Sequence, residues 1–160
     1  MNKKIADAIN AQINAELWSA YLYLSMGTNF RAMGLDGVAN WFEVQFKEEQ
    51  AHAMIFYQYM QSRGARVVLK PIAKVETEWK TVADAFEDTL AHEKKVTAMI
   101  HNINKLAIAE NDYATQNRMT WFFLSSYFNI WLLFGKCLLR NKLTGAIESG
   151  KQLNNTKQKR

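Results

Sequence analysis

The stretch RVVLKPIAKVETEWK, residues 66–80, decides how the rest of this 160-residue chain is arranged. It contains the only proline, Pro71, and several residues that favour extended backbone, so it is not expected to be helical. A segment of this length (residues 66–80), when extended, spans roughly 50 Å, whereas a helix of about 27 residues is roughly 40 Å long. The segment is therefore long enough to cross from one end of a helical bundle to the other.

On both sides of this segment, apolar residues recur at steps of three to four, which is the period of an α-helix. Gly34 and Gly64 are positioned to end the first two helices, and Asp112 to cap the N-terminus of the fourth. Short connections make helices one and two, and helices three and four, antiparallel hairpins. The predicted helices run over residues 4–33, 37–63, 82–110 and 113–142. The sequence thus predicts an all-α, ferritin-like four-helix bundle with one long crossover between helices two and three.

Composition places one domain over residues 1–145, followed by a basic C-terminal tail over residues 146–160. Residues 136–160 contain seven lysines and arginines against Glu148 alone. We interpret this charge as a solvated chain end, so neither nucleic acid nor membrane is expected as a partner. The single Cys137 excludes a disulfide framework, and the N-terminus lacks the apolar core of a secretory signal. Both features indicate a cytoplasmic protein.

The stretch EEQAHA, residues 48–53, places Glu49 one helical turn before His52, so both side chains lie on the same helix face. Glu16 lies midway along helix one and Glu93 midway along helix three, both within apolar surroundings. A charged residue at such a position is costly to bury unless it is paired or binds a metal. Taken singly, each of these residues is more often a surface residue. Their occurrence at a similar depth in the bundle indicates a metal site of iron-binding type.

Tyr23 lies on the same face as Glu16, where it is placed to hydrogen-bond a ligand or to take part in electron transfer. Taken alone, it is more often a core residue with its hydroxyl at the rim. His92 and His101 do not share the depth of the other candidates and are predicted to lie at the surface.

The motifs INAELWSAYLYLSM, GVANWFEVQFKEEQAHAMIFYQYMQSRG and FEDTLAHEKKVTAMI resemble those of bacterial non-heme ferritins, and the resemblance covers residues 1–122. It implies a cytoplasmic shell of 24 subunits that oxidises Fe(II) with O₂ or peroxide and stores the ferric product as a mineral. By the same resemblance, Glu16, Glu49 and His52 hold a first iron, and Glu49 bridges to a second iron held with Glu93. Tyr23 stands beside this site, and Glu48 corresponds to a ligand of an accessory third iron.

Helix four departs from the family pattern. The family has an acid-rich run containing a glutamine after Trp121, whereas residues 124–130 here read LSSYFNI. No aspartate or glutamate occurs between Asp112 and Glu148. Because the accessory site would keep Glu48 alone, the alternative function is a shell subunit with weak or no ferroxidase activity. Rubrerythrin-like and bacterioferritin-like proteins carry a second Glu-x-x-His on helix four, which this chain lacks.

Residues 119–135, MTWFFLSSYFNIWLLFG, contain no charge. This length is at the lower margin for a membrane span, which would make the chain a membrane-tethered binding protein. Three amphipathic partner helices in the same chain favour a buried fourth helix instead. A third interpretation is that residues after about 122 are not the native family end, through a frameshift or an engineered replacement.

Overall fold

The computed structural model describes residues 1–124, and all the regular structure in that range is helical. The first three helices are α1 (Lys3–Ala32), α2 (Asp36–Ser62) and α3 (Val82–Ala109). A fourth helix, α4, begins at residue 113 and continues to the last described residue, 124. The predicted helix positions are confirmed to within two residues at each described end. The predictions for helix four beyond residue 124, for the domain boundary at 145 and for the basic tail lie outside the described residues.

The ends of the helices follow from local capping. Asn2 accepts a hydrogen bond from the backbone N–H of Lys4 at 2.8 Å and caps α1. Thr81 and Asp84 form a reciprocal capping box at the start of α3. Gly34 and Gly64 have φ values of 73° and 65°, in the left-handed region that lets a chain leave a helix without a steric penalty. The predicted glycine ends of the first two helices are therefore confirmed.

The crossover, residues 66–80, runs along α1 in the same direction as that helix. Near its start, the backbone N–H of Val68 donates to Oδ1 of Asn10 at 2.7 Å. Near its end, Nδ2 of Asn29 donates to the carbonyl oxygen of Trp79 at 3.2 Å. Because it accompanies α1 over nearly twenty residues of helix, the crossover returns the chain to the end of the bundle at which α2 began. Helices α2 and α3 are parallel as a result, as predicted.

The buried hydrophobic side chains of residues 1–124 form two clusters, one towards each end of the bundle. The first lies where α1 begins and α2 ends, and it includes the stacked rings of Phe56 and Phe122, whose centroids are 3.8 Å apart. The second lies where α1 ends and α2 begins, and it includes Phe30 and Phe42, with centroids 5.8 Å apart. A layer of buried polar side chains lies between the clusters: Gln12, Glu16, Ser19, Glu49, His52, Glu93 and Thr97.

The start of α4 is fixed by a polar network. Asp112 accepts hydrogen bonds from the backbone N–H and the hydroxyl of Thr115, at 3.0 and 2.9 Å, which confirms it as the N-cap. Arg63, at the end of α2, donates to both carboxylate oxygens of Asp112, at 2.9 and 3.2 Å. This pairing joins the two helix hairpins at one end of the bundle. None of the described helices is both long and apolar enough to cross a membrane.

Candidate metal centre

The candidate metal centre is built by α1 and α2, which bring together Glu16, Glu49 and His52 in the polar layer. One ligand atom from each residue lies within 4.8 Å of those of the other two. Nδ1 of His52 is 3.4 Å from Oε2 of Glu49 and 4.0 Å from Oε2 of Glu16. All three side chains are buried. Two carboxylates and one imidazole in this arrangement match the ligands that iron, zinc and manganese accept.

The two oxygens of the Glu16 carboxylate have different environments. Oε1 accepts a hydrogen bond from Nε2 of Gln12 at 2.7 Å. Oε2 is buried and has no hydrogen-bond partner among the described residues. A buried oxygen of this kind is costly unless it binds something. The donor set therefore fits a divalent cation, which would satisfy this oxygen.

Gln12 is a site residue that the sequence analysis missed. Its signal was present, because a polar residue interrupts the apolar stripe of α1 one turn before Glu16.

Glu93 and Glu48 are not part of the cluster of three formed by Glu16, Glu49 and His52. Glu93, on α3, is buried and accepts a hydrogen bond from the hydroxyl of Tyr23, which is itself fully buried. Glu48 is partly exposed, and its Oε1 lies 3.9 Å from Nε2 of His52. Nε2 of Gln45 donates to the other oxygen of Glu48 at 2.9 Å. The structure thus pairs Glu93 with Tyr23 within the polar layer and places Glu48 towards solvent.

Burial raises the pKa of each inner carboxyl group. It raises the pKa of Glu49 to about 8; the adjacent carboxyl group of Glu16 opposes the rise, and repulsion from Glu93 and Glu48 adds to it. It raises the pKa of Glu93 to about 7, although the hydrogen bond from Tyr23 opposes the rise. It also raises the pKa of Glu16 well above its ordinary value, and the charge of Glu49 adds to this effect. Near neutral pH the centre therefore holds protons that an incoming cation must displace.

The sequence prediction that His92 lies at the surface is wrong, because its side chain is half-buried. Its Nε2 lies 2.6 Å from the hydroxyl of Ser19, and its ring packs against Trp18 with centroids 4.9 Å apart. Burial, with a smaller effect of Lys95, lowers the pKa of His92 to about 4. The helix period predicted that His92 lies next to a buried position, but it did not show that Trp18 packs against the His92 ring. His101 is exposed, as predicted, and its ring contacts Phe123 with centroids 4.7 Å apart.

Replacing Tyr23 with phenylalanine tests the contact between Tyr23 and Glu93. The variant removes the donor and leaves Glu93 buried, so we expect the metal-free protein to lose about 1–2 kcal/mol of stability. Thermal or denaturant unfolding in the presence of a chelator measures this change. Tyr21→Phe is the matched control, because Tyr21 lies on the same helix and is 54% exposed. An equal effect of the two substitutions would contradict a specific role for Tyr23.

The fold and the site define a class: a four-helix bundle with a crossover and a buried carboxylate–histidine metal centre. A family model for the ferritin-like domain matches residues 6–132. The chain is 38% identical to the bacterial non-heme ferritin of Bacteroides fragilis over 117 residues, which cover 73% of this chain and 74% of that protein. It is 35% identical to that of Staphylococcus saprophyticus over 122 residues, 76% of this chain and 73% of that protein.

Solved structures give the same result. The chain is similar to an open pore ferritin from Archaeoglobus fulgidus, with a TM-score of 0.82, 39% identity and coverage of 84% of this chain and 83% of that one. A humanized archaeal ferritin matches with a TM-score of 0.82 and 40% identity, covering 84% of this chain and 81% of that one. The chain belongs to the ferritin family. Family membership and the buried triad support iron storage as its function, iron as its metal and assembly into an oligomer.

Proposed function

We propose that this chain is an iron-storage ferroxidase, which binds Fe(II) in the bundle, oxidises it and passes the ferric product to the interior of an oligomeric shell. The observation that carries the proposal is the buried triad of Glu16, Glu49 and His52, with an unpartnered oxygen on Glu16. Hard carboxylate oxygens stabilise Fe(III) more than Fe(II), so this donor set favours loss of an electron.

The ligands divide between two iron positions. Glu16, Glu49 and His52 hold the first iron, and Glu49 bridges towards a second iron that Glu93 binds. Two Fe(II) ions each give up one electron, and O₂ or peroxide accepts the pair. Tyr23 holds the Glu93 carboxylate, and Glu48 provides an outer carboxylate beside His52. A shell of 24 subunits and a location in the cytoplasm belong to the same proposal, through family likeness.

The direct test is the rate of aerobic Fe(II) oxidation at two iron ions per chain, for the protein and for Glu49→Ala. Absorbance of the ferric product follows the reaction. A fast rate that depends on Glu49 supports the ferroxidase.

A second candidate function is a shell subunit with little ferroxidase activity. It is favoured by the sequence of helix four, which has no acidic residue between Asp112 and Glu148. It is also favoured by Glu93, which accepts a hydrogen bond from Tyr23 and is not one of the three residues of the cluster. The two candidates differ in how well the second iron is held.

Anaerobic titration with Co²⁺ measures the two positions separately. The first position has three ligands, whereas the second shares Glu49 and adds Glu93. We therefore expect the second ion per chain to bind at least about 10-fold more weakly, which corresponds to about 1.4 kcal/mol. Calorimetry or visible absorption gives both affinities.

Glu93→Gln is the matched variant for this titration, and it should remove only the weaker ion. Two ions of equal affinity would contradict the expectation and would require further ligands from outside residues 1–124.

A further inference from the structure

Gln12 is a buried amide that, within residues 1–124, forms one hydrogen bond from its side chain, to a proposed ligand of the metal centre. It is fully buried on α1, and Glu16 lies one helical turn further along the same face. Nε2 of Gln12 donates to Oε1 of Glu16 at 2.7 Å. The other polar atom of the amide, Oε1, is buried without a hydrogen-bond partner among the described residues. An apolar side chain would avoid this cost, so core packing alone does not explain a glutamine here.

The hydrogen bond has a clear geometric effect on Glu16. A carboxylate with no fixed contact is free to rotate about its last side-chain bond, which exchanges its two oxygens. With Oε1 held by Gln12, Oε2 is the oxygen that faces the triad, 4.0 Å from Nδ1 of His52. Among residues 1–124 no N–H group donates to Oε2, and its neighbouring acid is Glu49, whose proton a cation would displace. Each oxygen of Glu16 therefore has one role: Oε1 fixes the orientation of the carboxylate, and Oε2 is available to bind the cation.

We infer that Gln12 is a positioning residue, which holds Glu16 so that a single oxygen, Oε2, binds the first metal ion. This inference rests on the proposed function of the triad. Outer partners of this kind orient metal ligands, and their loss typically lowers metal affinity by about 10- to 100-fold. Gln12 itself does not contact the metal, so its effect passes entirely through Glu16.

The test compares Gln12→Met with the parent protein in an anaerobic Co²⁺ titration, read from the visible absorption of the bound ion. Methionine has a similar length and no donor. We expect affinity for the first ion to fall by about 10- to 100-fold, with a changed absorption spectrum. The unfolding midpoint of the metal-free protein is not the deciding readout, because the substitution removes one unpartnered buried oxygen but also leaves Oε1 of Glu16 without its donor. A role in packing alone predicts unchanged Co²⁺ affinity and an unchanged spectrum.

Thr97→Val is the matched control. The Thr97 hydroxyl, on α3, is also buried without a hydrogen-bond partner among residues 1–124, so valine removes an unpartnered buried oxygen of the same kind. It should leave Co²⁺ affinity unchanged. Should Gln12→Met fail to assemble, Gln12→Leu replaces it in the same comparison.

A double-mutant cycle tests whether Gln12 acts through Glu16. In a Glu16→Gln background, Gln12→Met should cause no further loss of Co²⁺ affinity. The role of Gln12 would be overturned, with the triad left in place, if Gln12→Met lowered Co²⁺ affinity equally in both backgrounds, or if Gln12→Met kept the affinity and spectrum of the parent protein.

The proposed function and this inference would be overturned together if the parent protein did not bind Co²⁺, or if the Glu49→Ala variant bound Co²⁺ as tightly as the parent does.

Discussion

Glu49→Ala is expected to lower the initial rate of Fe(II) oxidation by about 100-fold or more at two iron ions per chain. Loss of even an outer partner of a metal ligand typically costs about 10- to 100-fold, and Glu49 is proposed to bind both ions directly. Its Oε2 lies 3.4 Å from Nδ1 of His52, so the substitution removes a carboxylate from the centre of the site. Stopped-flow absorbance of the ferric product measures the rate.

Glu43→Gln is the control for this experiment. Glu43 lies on the same helix, but its carboxylate pairs with Arg31 at the surface, with an N–O distance of 2.6 Å. This variant should oxidise iron at the parent rate. Slow oxidation that is equal in the parent and in Glu49→Ala would instead identify the chain as a shell subunit that relies on other subunits for oxidation.

The metal-free protein is expected to become less stable as the pH rises from 5 to 7.5, and Glu49→Gln is expected to remove much of this loss. Burial raises the pKa of Glu49 from an ordinary 4.5 to about 8. Between these values the folded state keeps a proton that the unfolded state has released, so raising the pH favours unfolding. The stabilising effect of this proton is complete below pH 4.5 and is lost as the pH rises through 8. For Glu49 the change from pH 5 to 7.5 is about 3 kcal/mol.

Unfolding of the parent and of Glu49→Gln, each with a chelator present, measures this difference at the two pH values. Glutamine carries no titratable proton, so the stability of the variant relative to the parent should grow by about 3 kcal/mol between pH 5 and 7.5. Glu43→Gln should follow the parent. Parallel pH profiles for the parent and Glu49→Gln would show that Glu49 is not buried as a protonated acid.

Helix periodicity and chain breakers were sufficient to predict the fold. The apolar stripe of α1, the glycines at positions 34 and 64 and the extended segment over residues 66–80 each have a direct local cause, so the sequence shows them without knowledge of long-range contacts. The side-chain contacts of the crossover were not predictable in this way. Asn10 and Asn29 form hydrogen bonds with it across 58 and 50 positions of sequence, respectively, and no local pattern in the sequence indicates that pairing.

The site could be predicted in part. The i, i+3 spacing of Glu49 and His52 placed them on one face, and the position of Glu16 midway along helix one placed it at the same depth. Similar depth did not determine which partner each carboxylate would take, since that depends on side-chain rotamers. The sequence placed Tyr23 where it could hydrogen-bond a ligand, but it did not show that this ligand is Glu93. The packing of Trp18 against His92 also depends on side-chain rotamers, so the sequence did not show it.

The separation of the core into two hydrophobic clusters has a consequence for the cooperativity of the protein. The layer between them contains acids whose ionisation opposes folding, so we expect the two ends of the metal-free bundle to be weakly coupled near neutral pH. Each end has its own hydrophobic cluster, so we expect each to open as a cooperative unit of its own. A cation bound across α1 and α2 would link these units, because it exchanges repulsion among carboxylates for attraction to a shared charge. Iron would then be both the cargo of this protein and the link that makes the two ends of the bundle unfold cooperatively.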